Sequence, residues 1–176
     1  MVILETERLI LRNYKETDLL DAYEYFSNEE VACFEDFDPM SEEEVKELIS
    51  DWLEEDNRLV AELKTTKKVI GSIGYWIDDD GDYSIDYDFN PKYQKKGYAT
   101  EAGRELLNYL FHKVGIDKIY GDCDVRNEGS WRLMERLGFN RLEQLDNESY
   151  KNDKNGNPIL ISIYLYLLKN YPVISE

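Results

Sequence analysis

Residues 84–111, SIDYDFNPKYQKKGYATEAGRELLNYLF, read as a strand, a short loop and a helix. Over residues 84–89, Ile85, Tyr87 and Phe89 alternate with Ser84, Asp86 and Asp88, the period of a strand with two different faces. Asn90-Pro91 stops it. Beyond the loop, Ala102, Leu106, Leu107, Leu110 and Phe111 recur at helical spacing. A helix start carries unpaired N–H groups and a positive dipole end. Gly97 removes a side chain where a ligand would lie on the backbone, Ala99 is small, and Lys95 and Lys96 add positive charge. Gln94, Lys95, Lys96, Gly97, Tyr98, Ala99 and Thr100 therefore form a candidate cradle for a pyrophosphate. The GK[ST] ending of a Walker loop is absent, and the spacing is not GxGxxG. The plain alternative is a strand–helix turn with a helix-starting glycine.

Outward from this stretch the pattern is regular. Residues 6–13 read as a first strand and 15–26 as a helix with Leu19, Ala22, Tyr23 and Phe26 on one side. Residues 28–39 form a loop of aromatics and acids. Ser41 caps a second helix, with Glu44 completing a capping box; Val45, Leu48, Ile49, Trp52 and Leu53 make its apolar stripe. Residues 58–64 and 69–77 pair as a hairpin, and 78–82 is an acidic turn that lacks the late glutamate of a Ca²⁺ loop. After the central helix come a strand at 118–125, a short helix from Asn127 closed by Gly138, and an antiparallel pair at 139–150 and 159–168. The order βααβββαβαββ implies an α/β fold, a mixed sheet with helices on its faces. No repeat or composition break divides it, so one domain spanning 1–176 is expected.

Composition limits the function. A chain of 176 residues, 42% of them hydrophobic, has enough apolar surface for a core. No apolar run is long enough to span a membrane and no leader pattern is present, which suggests a cytoplasmic protein. The cysteines, Cys33 and Cys123, make no disulfide framework. His112 is the only histidine, which rules out Ser-His-Asp and Cys-His catalysis and a Cys/His metal cluster. The net charge of −17 repels nucleic acid and favours a cationic partner such as an amine, a polyamine or a basic protein tail.

The motifs in sequence resemble a known family. Q-x-x-G-x-A after a strand is followed by Asn127-Glu128-Gly129-Ser130 and then Glu135-Arg136-Leu137-Gly138-Phe139. Together these resemble the GNAT superfamily of acetyl-CoA-dependent N-acetyltransferases. Thr6-Glu7-Arg8-Leu9-Ile10-Leu11-Arg12 and Ile70-Gly71-Ser72-Ile73-Gly74 are similar to its ribosomal-protein N-terminal acetyltransferase branch. The resemblance implies a mixed, mostly antiparallel central sheet with helices on both faces, with acetyl-CoA as donor. It also implies a primary amine as acceptor, whether a peptide or protein N-terminus, a polyamine or another small amine, and a possible homodimer.

The same resemblance places the site. The pyrophosphate would lie on the Lys95–Thr100 amides, and the pantetheine arm against the backbone of Tyr87, Asp88 and Phe89. Asn127 would bond that arm, or alternatively cap its own helix. Amine attack on a thioester needs a base, an oxyanion donor and a proton for the leaving thiolate. Met134 stands where many relatives carry an acidic tyrosine. Ser130 is then a candidate proton donor to sulfur, or else a plain helix-surface serine. Ser84 replaces a glutamate of the branch, leaving Asp86 and Asp122 as candidate bases or simply solvated side chains. Glu35, Asp36 and Asp38, with Phe34 and Phe37, are expected at the acceptor's entry. The competing class is a CoA-binding protein that has lost turnover and acts through a partner.

Overall fold

The structure, a computed structural model, describes residues 3–170; the ends of the expected domain, residues 1–2 and 171–176, lie outside the described residues. The strands are β1 (Ile3–Glu5), β2 (Leu9–Asn13), β3 (Arg58–Leu63), β4 (Val69–Ile77), β5 (Tyr83–Phe89), β6 (Lys118–Asp124), β7 (Asn140–Glu148) and β8 (Ile161–Lys169). The α-helices are α1 (Leu19–Phe26), α2 (Glu29–Ala32), α3 (Glu42–Trp52), α4 (Tyr98–Tyr109) and α5 (Glu128–Leu137). The strands form one sheet in the order β1-β2-β3-β4-β5-β6-β8-β7. All pairs are antiparallel except β5–β6, which is parallel. This is the mixed, mostly antiparallel α/β architecture expected from the sequence.

Each face of the sheet has its own core. Val60 and Val69 pack with Ala22, Tyr25, Phe26, Val45 and Ile49 under α1 and α3. Leu9, Leu11, Leu59, Ile73 and Ile85 pack with Leu106, Leu110, Leu133 and Leu137 under α4 and α5. The period-2 alternation of β3, with Leu59 and Ala61 in one core and Val60 in the other, thus feeds two helical layers. The Ser41 capping box forms as read, with Ser41 N–H donating to Glu44 Oε2 at 2.7 Å and Glu44 N–H to Ser41 Oγ at 3.3 Å. No helix among the described residues is long and apolar enough to cross a membrane.

Three local readings need correction. The expected first strand begins only at Leu9. Thr6 turns the chain there, donating its N–H to Leu9 O at 3.0 Å and accepting Leu9 N–H on Oγ1 at 2.9 Å, so β1 folds back on β2. Residues 16–18 form a 3₁₀ turn, and the α-helix starts at Leu19. The loop after α1 contains α2, because Asn28 Oδ1 accepts Glu30 N–H at 2.8 Å and caps it.

One buried ionic knot ties the first strands to the turn before α1. The Arg12 guanidinium donates to both Asp18 oxygens at 2.8 and 2.9 Å and to Glu62 Oε2 at 2.8 Å. All three residues are at most 9% exposed. Removing one member of such a cluster strands the others without solvent. Arg12→Met is expected to cost about 3–5 kcal/mol of folding stability, checked by urea denaturation; a loss under about 1 kcal/mol would refute the knot's role.

Candidate active site

The sheet opens in its middle. β4 pairs with β5 along seven positions, from Gly71↔Phe89 to Ile77↔Tyr83. β6 pairs with β8 over seven more, from Lys118↔Lys169 to Asp124↔Ile163. Between β5 and β6 the register holds at a single pair, Ser84↔Tyr120. A parallel neighbour needs a long crossover, and the 90–117 segment with α4 supplies it. Past that pair the strands diverge, and α5 fills the space behind them. A Cβ on Gly121 would lie 2.4 Å from Met134 Cε and 3.1 Å from Ile85 Cγ2, so the glycine lets the end of the methionine lie close against β6 beside β5.

The turn at the start of α4 is held from the N-terminal strands. Gly97 sits at φ +82° and Lys95 at φ +60°. The first helical bond runs from Glu101 N–H to Gly97 O, so the amides of Tyr98, Ala99 and Thr100 have no acceptor within their helix. Arg8 clamps this corner, with Nε donating to Glu101 Oε2 at 2.6 Å, Nη1 to Lys96 O at 2.9 Å, and the guanidinium over the Tyr98 ring at 4.3 Å. Thr6 Oγ1 donates to the same glutamate at 2.5 Å. Lys96 bends back, its Nζ donating to Lys92 O at 3.2 Å, while Gln94 and Lys95 are exposed. A preformed corner of free amides with exposed backbone fits a bound phosphate.

At the opening lies a cavity of about 720 Å³. It brings together Tyr87, Asp88, Asn127 and Ser130 from the expected cofactor side with Asp86, Asp122, Glu35 and Asp36 from the expected catalytic and acceptor sets. Phe89 packs against the neighbouring core, and Gln94 to Thr100 lie outside the lining. Asp38 is also outside it, exposed and paired with Lys151 Nζ at 3.2 Å. Asn127 Oδ1 accepts Ser130 N–H at 3.1 Å, so the side chain caps α5 and its Nδ2 is left as the group available to a ligand. Ser130 Oγ lies 2.7 Å from the Tyr87 hydroxyl. Met134, at the position of the expected acid, is buried and offers no proton.

Two wall residues escaped the sequence reading. Arg58, at the start of β3, binds Asp86 directly, lies 3.8 Å from Asp88 and stacks over Trp52 at 4.6 Å. Tyr150, just past β7, donates to Asp122 Oδ2 at 2.5 Å. No periodic signal distinguished either from an ordinary strand or loop residue. Among the described residues, Arg58 is the only cation lining the cavity. Asp88 is pushed up to about 7 by burial and by Asp86, against the pull of Arg58. Glu35 is pushed up to about 9 by burial and then by Asp88, Asp86 and Asp36. Burial likewise raises Tyr87, and burial with Asp122 raises Tyr150, so both phenols stay neutral.

These shifts have a measurable sign. A carboxyl raised in the folded state binds more protons there than in the unfolded chain. Its contribution is fully present below the ordinary value of 4.5 and is lost as pH climbs toward about 9. The stability of Glu35→Gln relative to the parent is therefore expected to improve steadily from pH 5 to pH 9, in denaturation curves at matched ionic strength. A difference that does not change with pH would refute it.

Comparison with known proteins bears on this geometry. The family model for the acetyltransferase (GNAT) domain matches residues 8–140. An uncharacterized N-acetyltransferase of Bacillus subtilis (strain 168), YnaD, is 30% identical over 141 residues, 78% of this chain and 82% of that one. The crystal structure of a GNAT-family acetyltransferase from Bacillus anthracis superposes with a TM-score of 0.84 at 26% identity, covering 96% of this chain and 98% of that one. The spermidine N-acetyltransferase of Vibrio cholerae, solved in complex with CoA and spermine, superposes with a TM-score of 0.75 at 23% identity, covering 92% and 95%. The matched span holds the clamped turn, the opened strand pair and α5, and the chain belongs to the GNAT family of N-acetyltransferases, which makes it an acyltransferase.

Proposed function

We propose that this protein acts in the cytoplasm, transferring the acetyl group of acetyl-CoA to a primary amine that carries further positive charge, a polyamine being the best fit. One observation carries the reading: a single cavity joins the opened edge of β5, with Tyr87, Asn127 and Ser130, to an acidic, aromatic wall with Glu35 and Asp36. The neighbour solved with CoA and spermine supports both halves. The corner at Gly97 to Thr100 would hold the pyrophosphate, and the unpaired edge of β5 suits an arm made of amides. Acetyl-CoA supplies an activated acyl carbon.

The chain's own groups account for the rest. The acceptor arrives protonated and is attracted by the carboxylates. Asp86 is held by Arg58 and Asp122 by the Tyr150 hydroxyl, so Asp88, pushed up to about 7, is better matched to remove the ammonium proton than either candidate read from the sequence. The neutral nitrogen then forms the new C–N bond as the C–S bond breaks. Ser130 Oγ, backed by the neutral Tyr87 hydroxyl, donates a hydrogen bond to the departing sulfur, which leaves as the thiol with the proton given up by the amine. Following free thiol on mixing the protein, acetyl-CoA and a panel of amines tests the whole reading. Tight CoA binding with no thiol released would favour the binding-protein alternative.

Two predictions follow from the two halves of the cavity. Gly97→Glu forces a side chain into a left-handed backbone position and sets a negative charge at the phosphate corner. Calorimetric CoA affinity is expected to fall at least about tenfold, roughly 1.4 kcal/mol; an unchanged affinity would remove the corner from the site. On the other side, an approaching ammonium favours ionised Glu35. In Glu35→Gln/Asp36→Asn, the kcat/KM ratio of spermine over a neutral-chain amine is expected to drop about tenfold, and less at high salt. An unaltered ratio would mean that these acids do not select charge.

A further inference from the structure

Residues 33–38 carry the acidic face of the cavity but belong to no strand or helix. Their conformation must be fixed from elsewhere. Glu35 N–H donates to Ala32 O at 3.2 Å, Met40 N–H to Phe26 O at 3.0 Å, and the Phe37 ring packs edge-on to Phe26; one ammonium adds the tie to the far side of the cavity. Lys151 Nζ donates to Ala32 O at 3.1 Å, to Phe37 O at 3.0 Å and to Asp38 Oδ1 at 3.2 Å. The two carbonyls stand at either end of the acidic segment. Its side chain is 22% exposed, so these bonds are partly shielded from water. The preceding residue, Tyr150, lines the cavity and donates to Asp122 Oδ2 on the facing strand β6.

The platform behind these two residues is tied by its own hydrogen bonds. The β7–β8 connection is itself folded, with a bridge at Asn152↔Pro158 and a bond from Ile159 N–H to Lys151 O at 3.0 Å. Asp153 Oδ1 accepts the Asn155 and Asn157 amides at 2.8 and 2.9 Å. A flexible segment whose ends are tied to such a platform loses less entropy when a ligand binds it.

We propose that Lys151 is a positioning residue for acceptor recognition: it straps residues 32–38 to the β7–β8 connection so that Glu35 and Asp36 face the cavity. It touches no substrate. The inference rests on the reading of that wall as the acceptor's, but its structural half stands without it. Lys151 also holds the Asp38 carboxylate, which lies outside the cavity lining.

The test uses the full chain and two variants, Lys151→Met and Lys151→Arg. In Lys151→Met, hydrogen exchange at amides 33–38 is expected to speed up at least tenfold. KM for spermine should rise at least fivefold, with kcat within about twofold and calorimetric CoA affinity unchanged. Lys151→Arg, which keeps the donors, should restore most of the KM. Unchanged exchange at 33–38 overturns the strap, whether or not the protein turns over. Faster exchange with no change in KM overturns its role in recognition. A CoA affinity that falls in step with the rise in KM overturns it too, by showing general damage. If the parent acetylates no amine at all, the functional reading fails, and the exchange measurement alone decides the strap.

Discussion

The molecule depends on the weak parallel contact between β5 and β6. Everywhere else in the sheet, neighbours zip along their length; here one register pair, Ser84↔Tyr120, holds two halves together. Parallel pairing costs a long crossover, and that crossover delivers both the turn at Gly97 and helix α4. Met134 packs against Gly121 beside this contact. The edge of β5 past Ser84 therefore has no strand on that side, and backbone polar groups without a strand partner call for another one. An opening that would be a defect in a structural sheet is here the floor of the cavity.

Two arginines show how environment separates structure from function. Arg12 is saturated: Asp18 and Glu62 take its donors, and the knot fixes β2, β3 and the turn before α1. Arg58 is not. It faces Asp86 and Asp88, and its buried Nη1 has no hydrogen-bond partner among the described residues. With Glu35 and Asp36 also present, the cavity holds more carboxyl groups than its cation can balance, so some remain protonated. A cation entering the cavity would complete the neutralisation, so the same cluster is a burden to the fold and an attraction for positive charge.

Most of the fold was legible because it rests on local periodicity. The alternation in 84–89, the capping box at Ser41 and the glycine ending α5 each encode their element in a few neighbouring residues. The turn at Gly97 that opens α4 was legible for the same reason, being contiguous. β1 escaped because three residues are too few for a pattern, and the β2 boundary is set by Thr6 side-chain bonds. The acidic wall of the cavity was legible only in part. Asp86 and Asp88 alternate with Tyr87 on one strand, but Arg58 reaches them from β3 and Tyr150 reaches Asp122 across 28 positions. Nothing in the local sequence of either residue records those meetings. Asn127, read with two roles in competition, can hold both, since its oxygen caps the helix and its nitrogen remains.

The sheet order also bears on how the chain acquires its shape during synthesis. β1 to β5 form a meander in which each strand pairs with the one made just before it, so that half of the sheet can assemble as it emerges. The other half cannot. β8 lies between β6 and β7, and β6 has no antiparallel partner until residues 161–169 exist. Until then β6 presents a naked edge carrying Cys123 and the apolar Ile119, the kind of edge that recruits other chains. The polar, charge-rich β7, which becomes the outer rim, leaves the finished sheet with a far less adhesive border than the nascent one.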